Sequence, residues 1–239
     1  AIVPSISSMA QQNAQQYFSS SSNDGQQQED HSTIVIVGAG AAGLFAGYTL
    51  KYLGVDDFVI LEAHPTLYGG RVRQYDASSD HNIQMDVPLD LGAEWIHVQP
   101  SILHDLLLFE DDRQIIATQN IPETIVYRPQ YFDFSPGLDG IYSMDWVRFF
   151  YAEYKFYNTT WFSYLERFVY PYVASHIQLD TVVERIDYDP SSSTSSSSSS
   201  VTIQTRTGET ITADKVILSV PITALQGEEY TNHIAFNPP

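Results

Sequence analysis

Residues 33–62 read TIVIVGAGAAGLFAGYTLKYLGVDDFVILE, a β-branched run, a glycine turn, a helical stretch and a second apolar run closed by an acid. Thr33–Val37 shows no polar alternation, the pattern of a parallel strand buried on both faces. Gly38, Gly40 and Gly43 follow in G-x-G-x-x-G spacing, which serves a tight turn, close approach of backbone to a pyrophosphate, and close helix-to-strand packing. The phosphates would rest on the helix N-terminus, where free N–H groups and the helix dipole favour an anion without a basic side chain. Gly47 keeps the helix thin where it crosses the sheet, and Gly54 ends it ahead of Asp56 and Asp57. Phe58–Leu61 is the second strand, with Glu62 at its C-terminal end, 19 residues after Gly43. A carboxylate there accepts hydrogen bonds from both ribose hydroxyls and selects an adenosine with a free 2′-OH. The stretch therefore predicts a dinucleotide seat; it does not by itself separate FAD from NAD.

Composition narrows the field. The 239 residues hold 29 acids against 11 Lys and Arg, a net charge of −18, which opposes nucleic-acid binding and permits steering of a cationic substrate. There is no cysteine, so disulfides, thiolate metal sites, cysteine nucleophiles and a cysteinyl cofactor link are excluded within these residues, and no metal site is read. No apolar run reaches the roughly 20 residues that span a bilayer, so a soluble protein is expected. Asn158-Thr159-Thr160 is a glycosylation sequon, which admits a secreted or organellar location without fixing one.

Residues 1–30 are rich in Ser, Gln and Asn and read as a disordered leader. After Glu62, Gly69-Gly70-Arg71 forms a turn able to bring backbone and a guanidinium against a phosphate. A short strand ending at Asp90 or Leu91 precedes Gly92 and Ala93, small enough for a planar ring to lie against backbone, and then Glu94, Trp95 and His97. Residues 101–110 and 144–157 show helical spacing amid dense aromatics, which fits helices walling an apolar pocket or a packed core. Gln178–Asp187, Val201–Thr205 and a strand after Thr207-Gly208-Glu209 read as a β-meander, with the serine run before Val201 a flexible loop. Lys215–Val220 returns the chain to the parallel sheet.

With these blocks in view the chain resembles the flavin-dependent amine oxidase family, which includes monoamine, polyamine and L-amino-acid oxidases. The resemblance rests on IVIVGAGAAGLFAGYTL, VILEAHPTLYGGR, DLGAEWIH, TVVERIDYD and DKVILSVPITALQ with IAFNPP behind it, in the family's order and over roughly half the chain. It implies FAD as cofactor. Glu62 would hold the ribose, Gly38, Gly40, Gly43 and Arg71 the pyrophosphate region with Ala42, Ala63 and Gly70 alongside, and Val183 the adenine through its backbone. Gly92, Ala93, Glu94 and Trp95 would line the isoalloxazine. His97, with Glu94, is the local candidate to position or deprotonate substrate.

The implied reaction oxidises the C–N bond of an amine to an imine, with O₂ reduced to H₂O₂. Polyamines are favoured by the acidic balance; an L-amino-acid oxidase, a desaturase or porphyrinogen-oxidase type of flavoenzyme, and a non-catalytic flavin-binding fragment are the alternatives. The expected fold is an α/β, FAD-binding, Rossmann-like doubly wound domain with a β-meander plus part of an α+β substrate domain. Its expected divisions are the leader at 1–30, the first part of the FAD domain at 31–97, a helical substrate segment at 98–175, meander and return strand at 176–226, and the start of a substrate-domain strand at 227–239. The family pattern is departed from at YPYVASHIQLD, where a glycine pair is usual, and at Val98, which replaces a glycine. The family also continues past Pro239, so a missing C-terminal half or companion fragment is expected.

Overall fold

The computed structural model describes residues 31–75, 88–96, 102–119, 124–127, 153–156, 159–188, 200–226 and 233–237. In chain order the elements are β1 (His31–Val37), α1 (Ala41–Tyr52), β2 (Phe58–Leu61), β3 (Trp95–Ile96), α2 (Ile102–Asp105), α3 (Glu110–Gln119), β4 (Thr124–Tyr127), β5 (Glu153–Phe156), α4 (Trp161–Phe168), α5 (Tyr170–Val173), β6 (Ile177–Gln178), β7 (Val183–Asp187), β8 (Val201–Thr205), β9 (Thr210–Leu218) and β10 (Ala235–Asn237). They fall into two compact units, Ala1–Gly70 with Val169–Pro239, and Arg71–Phe168. The break at Gly70 lies ahead of the boundary after residue 97 drawn from sequence. The leader at 1–30 and most of the serine run lie outside the described residues.

The first unit is built on a seven-stranded sheet ordered β6-β2-β1-β9-β8-β7-β10. β1 pairs in parallel with β2 on one side and β9 on the other, and β2 pairs in parallel with β6. Ile34 to Val37 and Phe58 to Leu61 are all buried, as expected for central strands covered on both faces. Val35, Val37, Val59 and Leu61 face a core shared with Val183, Ile186, Ile203 and Ala213. The other layer is helical: Leu44 and Tyr48 of α1 are fully buried, and Tyr48 meets Tyr172 of α5 edge-on at 5.3 Å.

Two readings of the strands change. Gln178–Asp187 is two strands, because residues 179–182 turn with Asp180 at a φ of 55°. The third meander strand and Lys215–Val220 are one nine-residue strand, β9, whose first half pairs antiparallel with β8 while its length runs parallel to β1. Meander and parallel sheet are thus continuous. β10 lies in this same sheet, parallel to β7 through Ala235 and Arg185.

In the second unit β5 is the middle strand of a three-stranded antiparallel sheet, β3-β5-β4. Glu153–Phe156 had been expected to be helical; backbone pairing on both sides, Lys155 with Trp95 and with Ile125, overrides the helical spacing. Residues 101–110, expected as one helix, break after Asp105, and the Arg113 Nε–H binds the Leu107 carbonyl in the break at 2.6 Å. α3 restarts with Glu110, Asp111 and Asp112 in its first turn, where acids complement the helix dipole. Phe156, Tyr164 and Phe168 are buried, with Trp161 packed edge-on against Phe156 at 5.0 Å, so these aromatics are core.

Candidate functional site

The three glycines of the turn do three different things. Gly38 has a φ of +100° and donates its N–H to Leu61 O at 2.8 Å, turning the chain off β1. A Cβ on Gly43 would lie 1.9 Å from Gly38 O and 2.6 Å from Ser219 Oγ. Ser219 is drawn in as well, since its hydroxyl donates to Gly38 O at 2.8 Å. Gly40 differs: its φ of −70° and ψ of 176° suit any residue, and a Cβ there would meet nothing within 4 Å. It caps α1 with no side-chain bond and no acid in the first turn, so the N–H groups of Ala41, Ala42 and Gly43 have no intrahelical partner. The turn therefore presents an open, electropositive cradle at its centre and a closed protein contact on either side.

Glu62 stands beside this cradle. Its Oε2 accepts the Ala39 N–H at 2.8 Å and its Oε1 accepts the His64 N–H at 2.9 Å, which fixes the carboxylate while leaving lone pairs on both oxygens for further donors. The backbone of Glu62 is gripped from the other side by the β6–β7 turn, with Glu62 N–H bound to Gln178 O and Thr181 N–H bound to Glu62 O. His64 Nδ1 accepts the N–H groups of Thr66 and Leu67 at 3.2 and 3.0 Å. Gly69 N–H then donates to Ala39 O at 2.8 Å, and a Cβ on Gly70, whose φ is +59°, would come 3.1 Å from Gly40 Cα. The structure thus brings Gly38, Gly40, Gly43, Glu62 and Gly70 together within one unit. Ala42 and Ala63 are exposed there. Val183 opens β7 opposite Thr205 and is buried in the sheet core.

The residues expected at the ring belong to the second unit. Arg71–Tyr75 and Leu89–Ala93 run antiparallel: Ala93 N–H donates to Arg71 O, Leu91 N–H to Arg73 O, and Tyr75 N–H to Leu89 O. Gly92 is required by this pairing, since a Cβ would lie 1.9 Å from Arg71 O. Two blocks separated in sequence, GGR and DLGAEW, are in this way joined edge to edge. Glu94 then pairs with Lys155 Nζ at 3.0 Å, and the same ammonium sits 5.6 Å from the Trp95 ring centroid. Asp90 Oδ1 accepts the Trp161 N–H at 3.0 Å, at the start of α4. Burial, opposed by that hydrogen bond and reinforced by the Glu94 charge, pushes the Asp90 carboxyl up to about 6. Gln74 Oε1 accepts the hydroxyls of Thr160 and Ser163, both at 2.8 Å, and Thr160 Oγ1 caps α4 by accepting the Ser163 N–H.

Lys155, Asp90 and Gln74 had no signal in sequence beyond their residue type. The ladder of β3 with β5, which sets Lys155 against Trp95, could have revealed the first had the strand been recognised. His97 lies outside the described residues. Among the described residues no group of three His, Cys, Asp or Glu is placed to hold a metal, and no helix is long and apolar enough to cross a membrane.

Comparison with known proteins adds three findings. Residues 36–111 match a family model described as NAD(P)-binding Rossmann-like domain, and residues 172–239 match one described as flavin containing amine oxidoreductase. The second begins in α5 and covers β6 to β10. No curated protein matches. Among solved structures the chain is similar to wild-type putrescine oxidase bound to putrescine, with 14% identity, a TM-score of 0.53, and 87% of this chain aligned. The chain spans 61% of that protein's length.

Proposed function

We propose that the chain belongs to the flavin-containing amine oxidase family with FAD as its cofactor, and that it is the FAD-seating portion of an oxidoreductase that converts an amine to an imine, polyamines being the favoured substrates; the matches of residues 36–111 and 172–239 support this reading. The observation that carries this reading is the contrast within the glycine turn. Gly38 and Gly43 are closed against protein, whereas a Cβ on Gly40 would meet nothing within 4 Å, at the head of a helix whose first-turn N–H groups have no intrahelical partner, beside a fixed carboxylate. A pyrophosphate with a ribose attached is the chemistry such a cradle and acid accommodate.

In this reading Glu62 accepts the ribose hydroxyls, the first turn of α1 donates to the pyrophosphate with Gly70 and Arg71 nearby in sequence, and Val183 meets the adenine through its main chain. Gly92, Ala93, Glu94 and Trp95 line the ring, with Lys155 bound to Glu94 and set over Trp95. His97 positions or deprotonates the amine. Bound FAD supplies the two-electron oxidation of the C–N bond, and O₂ takes up the electrons as H₂O₂. The protein's own contribution is orientation, exclusion of water and a field set by its net charge of −18, which favours approach of a multiply protonated amine.

The test is to purify the full-length protein and measure bound flavin, then H₂O₂ release with spermine, spermidine, putrescine, aromatic amines and L-amino acids. FAD in near-stoichiometric amount and turnover with polyamines are expected, and Glu62→Ala should lose flavin while keeping its fold. Absence of flavin in the wild-type protein, or flavin content unchanged in Glu62→Ala, would overturn the seat. Turnover confined to L-amino acids would overturn the substrate class.

A further inference from the structure

The loop between the acid and the second glycine turn is closed by one imidazole. The Thr66 and Leu67 N–H groups both point at His64 Nδ1, so that nitrogen carries the lone pair and the neutral ring keeps its proton on Nε2. The main chain of His64 is bound at both ends as well: its N–H goes to Glu62 Oε1, and its carbonyl accepts the Asp180 N–H at 3.1 Å. Two residues past Leu67 the chain reaches Gly69, whose N–H returns to Ala39 O in the phosphate turn. The ring therefore ties the carboxylate that faces the ribose to the glycines that face the pyrophosphate.

We infer that His64 is a positioning residue for the adenosine half of the FAD seat, acting through an unprotonated Nδ1, so that protonating the ring loosens the seat and releases cofactor. The inference rests on the reading of this turn as an FAD site. An imidazolium presents N–H at both nitrogens, so a proton on Nδ1 faces two backbone donors and leaves both without an acceptor. The Glu62 carboxylate faces the ring's segment through the His64 N–H, and Asp180 meets it through its main-chain N–H on the His64 carbonyl. Neither replaces the lone pair that Thr66 and Leu67 use.

Asparagine separates position from titration, because its Oδ1 occupies the place of Nδ1, accepts the same N–H groups and takes no proton in the neutral range. The experiment follows FAD retained by the full-length protein, and its Kd, between pH 8 and pH 5 for wild type, His64→Asn and His64→Leu, together with amide exchange of Thr66 and Leu67. Wild type should bind about tenfold more weakly at pH 5 than at pH 8, from two lost acceptor bonds. His64→Asn should hold FAD at pH 5 as it does at pH 8. His64→Leu should be about tenfold weaker at both values, with Thr66 and Leu67 amides unprotected. If His64→Asn loses FAD on acidification as wild type does, or if His64→Leu binds like wild type at pH 8, the inference is overturned. Should His64→Leu fail to fold, the comparison of His64→Asn with wild type decides alone. A wild-type protein that holds no FAD at any pH overturns the cofactor reading and this inference with it.

Discussion

The phosphate turn of the first unit and the Asp90–Ile96 segment of the second are made of different material. The turn is almost entirely main chain: three glycines, the N–H groups at the head of α1, and one carboxylate held by two backbone donors. The second segment pairs by main chain with Arg71–Arg73 and with β5, and its own side chains are held from far along the sequence, Glu94 by Lys155 and Asp90 by the Trp161 N–H at the head of α4, with Gln74 on the paired strand held by Thr160 and Ser163. A main-chain seat needs the absence of side chains at set intervals, and any Cβ added to it either strikes backbone or enters the ligand's space. A side-chain scaffold tolerates replacement better, because solvent-exposed ion pairs and single hydrogen bonds each carry little. The seat should therefore be brittle and the side-chain contacts of the second segment graded, with Gly92, whose Cβ would lie 1.9 Å from Arg71 O, the exception there.

The largest effect expected is at Gly43. Alanine there would place Cβ 1.9 Å from Gly38 O, and backbone cannot yield as a flexible side chain does. A loss above about 4 kcal/mol is expected, enough to cost the first unit its fold. Soluble yield and thermal melting would show it; a melting temperature within a few degrees of wild type would break the claim that the turn is brittle.

Gly40→Val sharpens the contrast from inside the same turn. The backbone there suits valine and no protein atom stands within 4 Å, so melting of the FAD-free protein should stay close to wild type. FAD affinity should fall at least about a hundredfold, since the side chain occupies the space in front of the helix N-terminus. Unfolding of Gly40→Val, or tight flavin binding by it, would mean that the three glycines do not divide the work as the geometry indicates.

This difference in material also explains what was legible in the sequence. G-x-G-x-x-G, the buried runs on either side and Glu62 lie within 30 consecutive residues, so spacing alone reported them. Gly92 was read as room for a ring, while the structure shows that it is first demanded by Arg71 O. Lys155 is 61 residues from Glu94, Trp161 is 71 from Asp90, and Thr160 is 86 from Gln74, distances over which no local pattern survives. The same blindness turned β5 into a helix, because its aromatic spacing fits a helix and only its two partner strands say otherwise. β9 was divided in two because its antiparallel and parallel halves have different partners.

Lys155→Met tests the graded side. The pair with Glu94 is partly exposed on both sides and the ammonium lies over the Trp95 face, so the loss should be about 0.5–1.5 kcal/mol, with a changed Trp95 fluorescence. Lys155→Arg should recover most of both. A drop as large as that of Gly43→Ala would erase the distinction between the two regions.

Asp90 gives the effect with a pH signature. Its carboxyl is pushed up to about 6 by burial and by Glu94, above the ordinary value it regains when the chain unfolds. The folded state therefore binds this proton more tightly than the unfolded state. Its contribution to stability is present in full below the unfolded value of 3.8 and is lost as pH rises through about 6. Above that, the folded unit carries an ionised, half-buried carboxylate near Glu94, relieved only by the Trp161 N–H and Lys155. Asparagine keeps an acceptor for that N–H and has no charge to bury, so Asp90→Asn should gain on wild type as pH climbs from about 4 to about 6.5 and run parallel to it above. Paired melting curves of the two proteins across that range measure the difference directly, with the other carboxylates cancelling. A difference that stays constant, or that moves the other way, would mean that the head of α4 stabilises the Asp90 charge more than burial opposes it.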